Sequence, residues 1–159
     1  MSTKILQEHL IWALQQGFDP GKGHEAKSLL DSIQDLTPEQ AAWISAPGAP
    51  SIWTMVNHVA SWKETIARTI EGEKFSFGGR WPAPRIISQT EWDNDLQALI
   101  RWQIRLLGHL DKLDDERLNR PLPDLDNWSL AKVFTGLIAH DCYHCGQITK
   151  LRQLQNISL

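Results

Sequence analysis

Four side chains of types that bind metal ions lie within six consecutive positions of the segment HDCYHCGQI, residues 140–148. They are His140, Cys142, His144 and Cys145. Imidazole and thiolate groups are the usual ligands of zinc and related ions, and a Cys-x-x-Cys pair is also a redox motif. The segment therefore allows three interpretations: a metal site, a redox pair, or a stretch of packed helix.

On a regular helix the two histidines lie on a different side from the two cysteines. His144 is about 40° from His140 around the helix axis, whereas Cys142 and Cys145 are about 200° and about 140° away. The four side chains therefore do not complete one tetrahedral site. Redox Cys-x-x-Cys pairs usually begin a helix beside a strand, and no strand is predicted here. Both cysteines are interpreted as small packing residues, with a partner subunit as one surface for them to pack against.

The histidine side of this helix is predicted to face the core. It also carries four apolar residues: Val133, Leu137, Ile148 and Leu151. Two imidazoles on such a side need polar partners, because burying them unpaired is costly. One interpretation is a divalent metal ion bound by both, and the other is two core histidines that are hydrogen-bonded to further side chains.

A metal site with chemistry needs a third protein ligand and an open coordination position. His58, in the segment SIWTMVNHVASWKE, is the best candidate for that ligand, and a buried histidine is the alternative. His9 and His109 are interpreted as surface or core-edge residues. His24 follows GKG and is interpreted as a residue of a helix start or loop. A structural site would instead be closed by protein, with His24 or a carboxylate as the fourth ligand.

Residues near the histidines have two interpretations each. Gln147 lies within about 40° of the histidine side and either faces the lower edge of the site or bonds backbone or solvent near the end of the helix. Asp141 points about 80° away from the centre of that side and is expected to reach a neighbouring helix or subunit. Trp62, one turn after His58, either forms a wall of the site or, as we prefer, packs in the core.

The elements that must position these residues are predicted to be helices, with no strand. Apolar periodicity places them at about residues 3–16, 24–36, 51–71, 90–113 and 128–155. Thr37 is predicted to cap a short turn, with Pro38 in its first position and Gln40 completing a capping box. Ser51 is predicted to cap the third of these segments, and Gly72 to end it.

The resulting fold class is all-α, a four-helix bundle whose first helix is broken at residues 17–23. Residues 72–90 form a long irregular connection, the crossover, which permits the second and third long helices to run parallel. Arg80, Trp81 and Arg85 in the crossover either contact an anionic substrate or anchor the crossover to the bundle, and anchoring is preferred.

Composition excludes several classes of protein. The chain has 159 residues, of which 42% are hydrophobic and 22% charged, so residues 1–159 are predicted to form one domain. The net charge of −3, with 16 Lys and Arg spread along the chain, favours neither nucleic acid nor a membrane as a partner. There is no signal-peptide pattern, and two cysteines are too few for a disulfide framework, so a cytoplasmic location is predicted.

The segments SIWTMVNHVASWKE and HDCYHCGQI resemble the DinB/YfiT-like superfamily of bacterial proteins. The order of elements is also similar: a broken first helix, LTPEQA before a Pro-rich turn, GRWP in the crossover, and a last helix with the pattern HxxxHxGQ. The resemblance implies an up-down-down-up four-helix bundle that forms homodimers. It also implies a divalent metal ion, nickel or zinc, held by His58, His140 and His144, with water or substrate in the remaining positions.

The function that the resemblance implies is a metal-dependent enzyme that activates a low-molecular-weight thiol cofactor or water. Some relatives are thiol transferases that join bacillithiol or mycothiol to electrophiles, and one group isomerises maleylpyruvate with a thiol cofactor. The expected activity is therefore thiol S-transferase-like or hydrolase-like. The alternative is a non-catalytic, metal-stabilised bundle that acts as an interaction or stress-response protein.

Overall fold

The computed structural model describes residues 4–23, 27–74, 80–123 and 127–158. Most of these residues are helical. The helices are α1 (Ile5–Phe18), α2 (Leu29–Ile33), α3 (Pro38–Ala42), α4 (Ile52–Ile70), α5 (Gln89–Leu110), α6 (Asp115–Asn119) and α7 (Leu130–Leu154). Two short strands, β1 (Pro121–Leu122) and β2 (Trp128–Ser129), pair antiparallel just before α7. None of the described helices is both long and apolar enough to cross a membrane.

The start and end of α4 follow from two residues that the sequence singles out. The Ser51 hydroxyl accepts a hydrogen bond from the Thr54 amide at 3.1 Å, which satisfies one of the free N–H groups of the first turn. Gly72 has a φ of +98°, a conformation that a residue with a Cβ rarely adopts, and the chain leaves the helix there. Both predictions are confirmed, and together they fix the helix that carries His58.

The helix α3 has the predicted capping box. The Thr37 side chain accepts from the Gln40 amide at 3.2 Å, and Gln40 Oε1 accepts from the Thr37 amide at 2.9 Å. Pro38 occupies the first turn, where its missing N–H costs nothing. α2 has a second capping box, formed by Ser28 and Asp31, which the sequence analysis did not identify.

The relative direction of α4 and α5 follows from two contacts between them. Trp53 Nε1 donates to Asp95 Oδ2 at 2.7 Å near the start of α4. Arg105 Nε donates to Glu71 Oε1 at 2.6 Å just beyond its end. The two helices therefore run in the same direction, as the long crossover permits. The complete up-down-down-up order of four helices stays a prediction.

The core consists of two apolar clusters, neither of which contains a histidine. One packs α4 against α2, α3, α5 and α7, and its largest members are Trp53 and Trp92, whose rings meet edge to face at 5.0 Å. The other packs α1 against α5, α6 and α7 around Leu14, Leu106 and Phe134. The buried polar side chains of α4 and α7, described below, occur in addition to these clusters.

Three predictions about the elements are wrong. The structure has a strand pair, because Asn127, with a φ of +59°, turns the chain back so that Trp128 pairs with Leu122. Among the described residues of the predicted helix at 24–36, only α2 is helical, since its capping box begins at Ser28. The predicted break at residues 17–23 begins later, because α1 continues through Gly17 to Phe18.

The buried side of α1 includes one polar residue. Gln7 is buried together with Leu10, Leu14 and Phe18, whereas the apolar Ile5 is exposed. Gln7 Nε2 donates to the carbonyl oxygens of Leu110 and Asp111 at 3.0 and 2.7 Å. These carbonyls lie at the end of α5, where the helix offers them no partner. The Gln7 side chain thereby joins α1 to the end of α5.

Candidate metal centre

Three histidines from two helices converge on one point. His58 Nε2 on α4 and His144 Nε2 on α7 each lie 3.1 Å from His140 Nε2. One ligand atom from each of the three residues lies within 4.8 Å of the others. The structure therefore brings together the three predicted ligands, although His58 and His140 are 82 positions apart in the sequence.

Two of the three imidazole rings are oriented by hydrogen bonds at Nδ1. His58 Nδ1 lies 3.0 Å from the carbonyl oxygen of Arg80, which can only accept. His144 Nδ1 lies 2.7 Å from Gln147 Oε1, and the Gln147 amide nitrogen donates to Tyr143 Oη at 3.0 Å. The Nδ1 atoms of His58 and His144 therefore carry the protons, and their Nε2 lone pairs point to the centre.

His140 shows why this arrangement fits a cation. Its Nε2 faces the lone pairs of His58 Nε2 and His144 Nε2. The one proton that His140 Nε2 can carry would satisfy only one of these two lone pairs. Its Nδ1 is buried, and no hydrogen-bond partner for it exists among the described residues. Nitrogens that each lie about 2.1 Å from one ion are separated by about 3.0–3.4 Å, which includes the two observed distances. A divalent metal ion would thus satisfy the three Nε2 atoms better than hydrogen bonds among the three histidines do.

Burial keeps the three histidines neutral, which is the form that binds metal. His58 and His144 are only 5% and 2% exposed, and their burial lowers the pKa of both imidazoles. For His140, burial together with the nearby charges of His144, His58 and Lys63 lowers the pKa to about 3. All three ligand atoms are therefore available at neutral pH.

Aromatic rings surround the histidines on several sides. Trp81 stacks on His58, with ring centroids 3.7 Å apart and planes 11° from parallel. Tyr143 meets His144 edge to face at 5.2 Å. Trp62 meets His140 in the same way at 6.1 Å and is half-buried, so it forms a wall of the site rather than part of the core as preferred. These three rings thus border the histidine cluster.

The crossover is anchored to α4 beside the site. Arg80 bonds to Glu64 through its guanidinium at 3.2 Å, in addition to accepting from His58 through its carbonyl oxygen. Asn57 Nδ2 donates to the Pro82 carbonyl oxygen at 3.1 Å. Arg80 and Trp81 therefore have the anchoring role that the sequence analysis preferred.

A groove of about 420 Å³ lies between the crossover, α4 and α5. It does not include the three histidines, although Ser61 and Arg80, which line it, are neighbours of His58 through the Arg80 carbonyl oxygen. Its walls carry charged, polar and aromatic side chains, among them Asn57, Glu64, Arg85, Glu91, Asp95 and Trp102. The groove can accept a small polar molecule close to the metal centre.

The cysteines take no part in the histidine cluster. Cys145 is buried, its Sγ lies 3.0 Å from the Lys27 carbonyl oxygen, and burial raises the pKa of its thiol. Cys142 is exposed. The two residues thus point away from the histidines, as the helical geometry predicts, and Cys145 packs within this chain.

The other histidines lie elsewhere. His9 is exposed, and His109 Nε2 bonds to Glu71 Oε1 at 2.7 Å at the far end of α4. Both placements agree with the interpretation as surface or core-edge residues. His24 lies outside the described residues, so its predicted loop or ligand role has no structural counterpart here.

A buried ion pair beside the site was not identified from the sequence. Lys63 Nζ on α4 lies 2.6 Å from Asp141 Oδ2 on α7, and both side chains are almost fully buried. The sequence does contain a signal, because Lys63 falls on the same side of α4 as the apolar residues Val56, Val59 and Ala67. Asp141 reaches a neighbouring helix, which is one of its two expected placements.

Comparison with known proteins gives one match. A family model described as the DinB superfamily matches residues 24–148, more than half of the chain. The matched region contains the three converging histidines and Gln147. No curated protein and no solved structure matches the chain.

Proposed function

The chain belongs to the DinB superfamily, and on that premise we propose that it is a metal-dependent enzyme. His58, His140 and His144 are the proposed ligands of one divalent ion. The single observation that carries the proposal is the convergence of three neutral imidazoles, two of which have their Nδ1 protons engaged so that Nε2 must face the centre.

The proposed reaction is the activation of a low-molecular-weight thiol or of water, which then attacks an electrophilic substrate. A divalent ion with three neutral ligands keeps its full charge and supplies Lewis acidity, which generates a nucleophile from a thiol or water near neutral pH. An S-transferase-like or hydrolase-like activity follows from the two nucleophiles. The thiol is favoured by the resemblance to thiol transferases.

Individual residues of the chain have separate roles in this proposal. The Arg80 carbonyl oxygen and Gln147 fix the orientation and tautomer of His58 and His144. Trp81 and Trp62 exclude water around the ligands. The adjacent groove provides room for the body of a substrate, with Arg85 available to an anionic group.

The remaining features of the proposal rest on the resemblance and on composition. The metal is nickel or zinc, the fold is an up-down-down-up bundle over residues 1–159, and the protein is a cytoplasmic homodimer. Nucleic acid and membranes are not proposed partners, because the net charge is −3 and the basic residues are dispersed.

A second candidate function is supported by the position of the groove. The three histidines do not line the groove. If a molecule in the groove does not reach the metal, the metal has a structural role, and the protein is an interaction or stress-response protein. A structural metal ion has its coordination positions closed by protein, whereas a catalytic one keeps a position open. The two candidates therefore differ in whether a small ligand can reach the ion.

The test is a screen of the nickel- or zinc-loaded protein with small thiols plus a fluorogenic electrophile, and with an activated ester for hydrolysis. The proposed function predicts turnover that requires metal and is lost in His144→Ala. Cobalt-loaded protein provides a second measurement, since thiol binding at an open position changes its visible spectrum. No turnover together with an unchanged cobalt spectrum would contradict the enzyme and support the structural role.

A further inference from the structure

Of the three histidines, only His140 has no hydrogen bond at Nδ1 that would orient its ring, among the described residues. His58 and His144 each have a partner at Nδ1, but His140 Nδ1 has none among the described residues. Ligand histidines are normally oriented through this second nitrogen, and losing that contact weakens metal binding. The position of His140 must therefore be set by something other than a bond to its own ring.

The ion pair between Lys63 and Asp141 lies in the right place for that task. Asp141 follows His140 directly on α7, and Lys63 follows His58 by five positions on α4. Their 2.6 Å contact thus joins the same two helices that the metal centre joins. This contact restricts the axial position and rotation of α7 relative to α4, and with them the place of the His140 backbone.

The same ammonium group also contacts the other two long helices. Lys63 Nζ donates to Gln103 Oε1 on α5 at 2.9 Å and lies 4.8 Å from the centroid of the Phe18 ring on α1. Gln103 Nε2 in turn donates to the Leu14 carbonyl oxygen at 3.4 Å. All four long helices therefore meet at one buried cation beside the histidines.

Stability alone does not account for a buried ion pair. Its desolvation offsets most of the attraction, and well-packed apolar residues of similar volume are often as stable or more so. Such a pair penalises any slip between its elements, because a slip leaves a buried charge without its partner. Asp141 Oδ1 has no hydrogen-bond partner among the described residues, so Lys63 is the partner on which the carboxylate depends.

We infer that Lys63 and Asp141 are positioning residues of the metal centre, which hold α4 and α7 in the register that brings His140 to His58 and His144. The inference rests on the proposed metal binding. It assigns to the ion pair the role that Nδ1 hydrogen bonds have for the other two ligands. Neither residue touches the metal or the substrate.

The test compares stability and metal affinity in the variant Lys63→Met/Asp141→Leu, which removes both charges at once and leaves the net charge unchanged. We expect a melting temperature of the metal-free protein near or above that of wild type. We expect affinity for nickel or zinc, measured by competition with a chromophoric chelator, to fall at least about tenfold. The cobalt-loaded variant should also have an altered visible spectrum.

Two control variants isolate the effect. Glu71→Gln/Arg105→Gln removes another ion pair, one between the end of α4 and α5, also without changing net charge, and should leave affinity unchanged. Gln103→Met removes the second partner of Lys63 and keeps the bond to Asp141, so affinity should stay within about threefold of wild type. If the main variant does not fold, Lys63→Met/Asp141→Asn removes the same pair and carries the same prediction.

The outcomes separate this inference from the proposed function. Unchanged affinity in a folded variant without the ion pair would overturn the positioning role while wild type still binds metal. An equal loss in Gln103→Met would show a general effect of the core and would also overturn it. A wild type that binds neither nickel nor zinc would overturn the proposed function, and the inference with it.

Discussion

The Nδ1 atom of His144 lies 2.7 Å from Oε1 of Gln147, which follows it by three positions on α7. This contact comes entirely from one helix, since residues three apart lie on the same face. It fixes the tautomer in which Nε2 is free to bind an ion. The HxGQ part of the sequence pattern thus has a physical meaning: it supplies a candidate ligand together with the group that orients it.

Gln147→Leu is therefore expected to weaken metal binding by about 10- to 100-fold, because His144 loses the acceptor for its Nδ1 proton. Gln153→Leu, an exposed position on the same helix, is the matched control and should have no effect. Chelator competition measures both. Equal affinities in the two variants would mean that Gln147 has no orienting role.

Trp81→Ala should reduce metal affinity by a smaller amount. The stacked Trp81 ring covers one face of His58 at 3.7 Å, and aromatic pairs contribute about 0.5–1.5 kcal/mol beyond their buried area. The expected loss is about 2- to 12-fold. Trp43→Ala, at a tryptophan of similar exposure outside the site, should leave affinity as it is.

Thr37→Ala should lower the free energy of unfolding by about 1 kcal/mol, because the Gln40 amide loses its acceptor in the capping box. Thr37→Ser retains the hydroxyl and should be close to wild type. Urea unfolding of the metal-free protein measures both changes. Equal free energies of unfolding for Thr37→Ala and Thr37→Ser would show that the capping box does not stabilise α3.

The stability of the metal-free protein should fall as the pH is lowered below about 6.5. Burial lowers the pKa of His58, His140 and His144, to about 3 for His140, whereas the unfolded chain has histidines near the ordinary value of 6.5. Between these values the unfolded state binds more protons, so the free energy of unfolding rises with pH.

Urea unfolding at a series of pH values between about 4 and about 7 checks the sign. His140→Gln should have a shallower pH dependence than wild type, because it removes the most strongly shifted group. His9→Gln, at an exposed position, should follow the wild-type curve. Identical slopes in wild type and His140→Gln would contradict the assigned shift.

Local signals in the sequence are sufficient for the long helices and for placing His140 and His144 on one side of α7. Ser51, Thr37 and Gly72 act through contacts or backbone angles within a few residues, and these can be identified from neighbouring positions alone. His140 and His144 share a face because of helical spacing. His58 was assigned to the same site by the need for a third ligand and by the resemblance, and the structure shows that its Nε2 reaches them.

Features that depend on contacts between distant segments were not predictable in this way. The Arg80 carbonyl oxygen orients His58 from a crossover that has no periodicity, so nothing in its sequence gives its path. The burial of Gln7 on α1 depends on its reaching the end of α5. The buried contact between Lys63 and Asp141 requires knowing which sides of two helices meet, and neither residue type suggests burial by itself.

The most direct measurement is the metal content per chain by plasma mass spectrometry, on protein purified without an affinity tag or chelator. Wild type is compared with His58→Ala, His140→Ala and His144→Ala, and with Cys142→Ala/Cys145→Ala as the control. We predict close to one nickel or zinc ion per wild-type chain, a comparable content in the cysteine variant, and loss of metal in each histidine variant. Little metal in wild type even after incubation with nickel or zinc, or a loss in the cysteine variant equal to that in the histidine variants, would contradict the three-histidine centre.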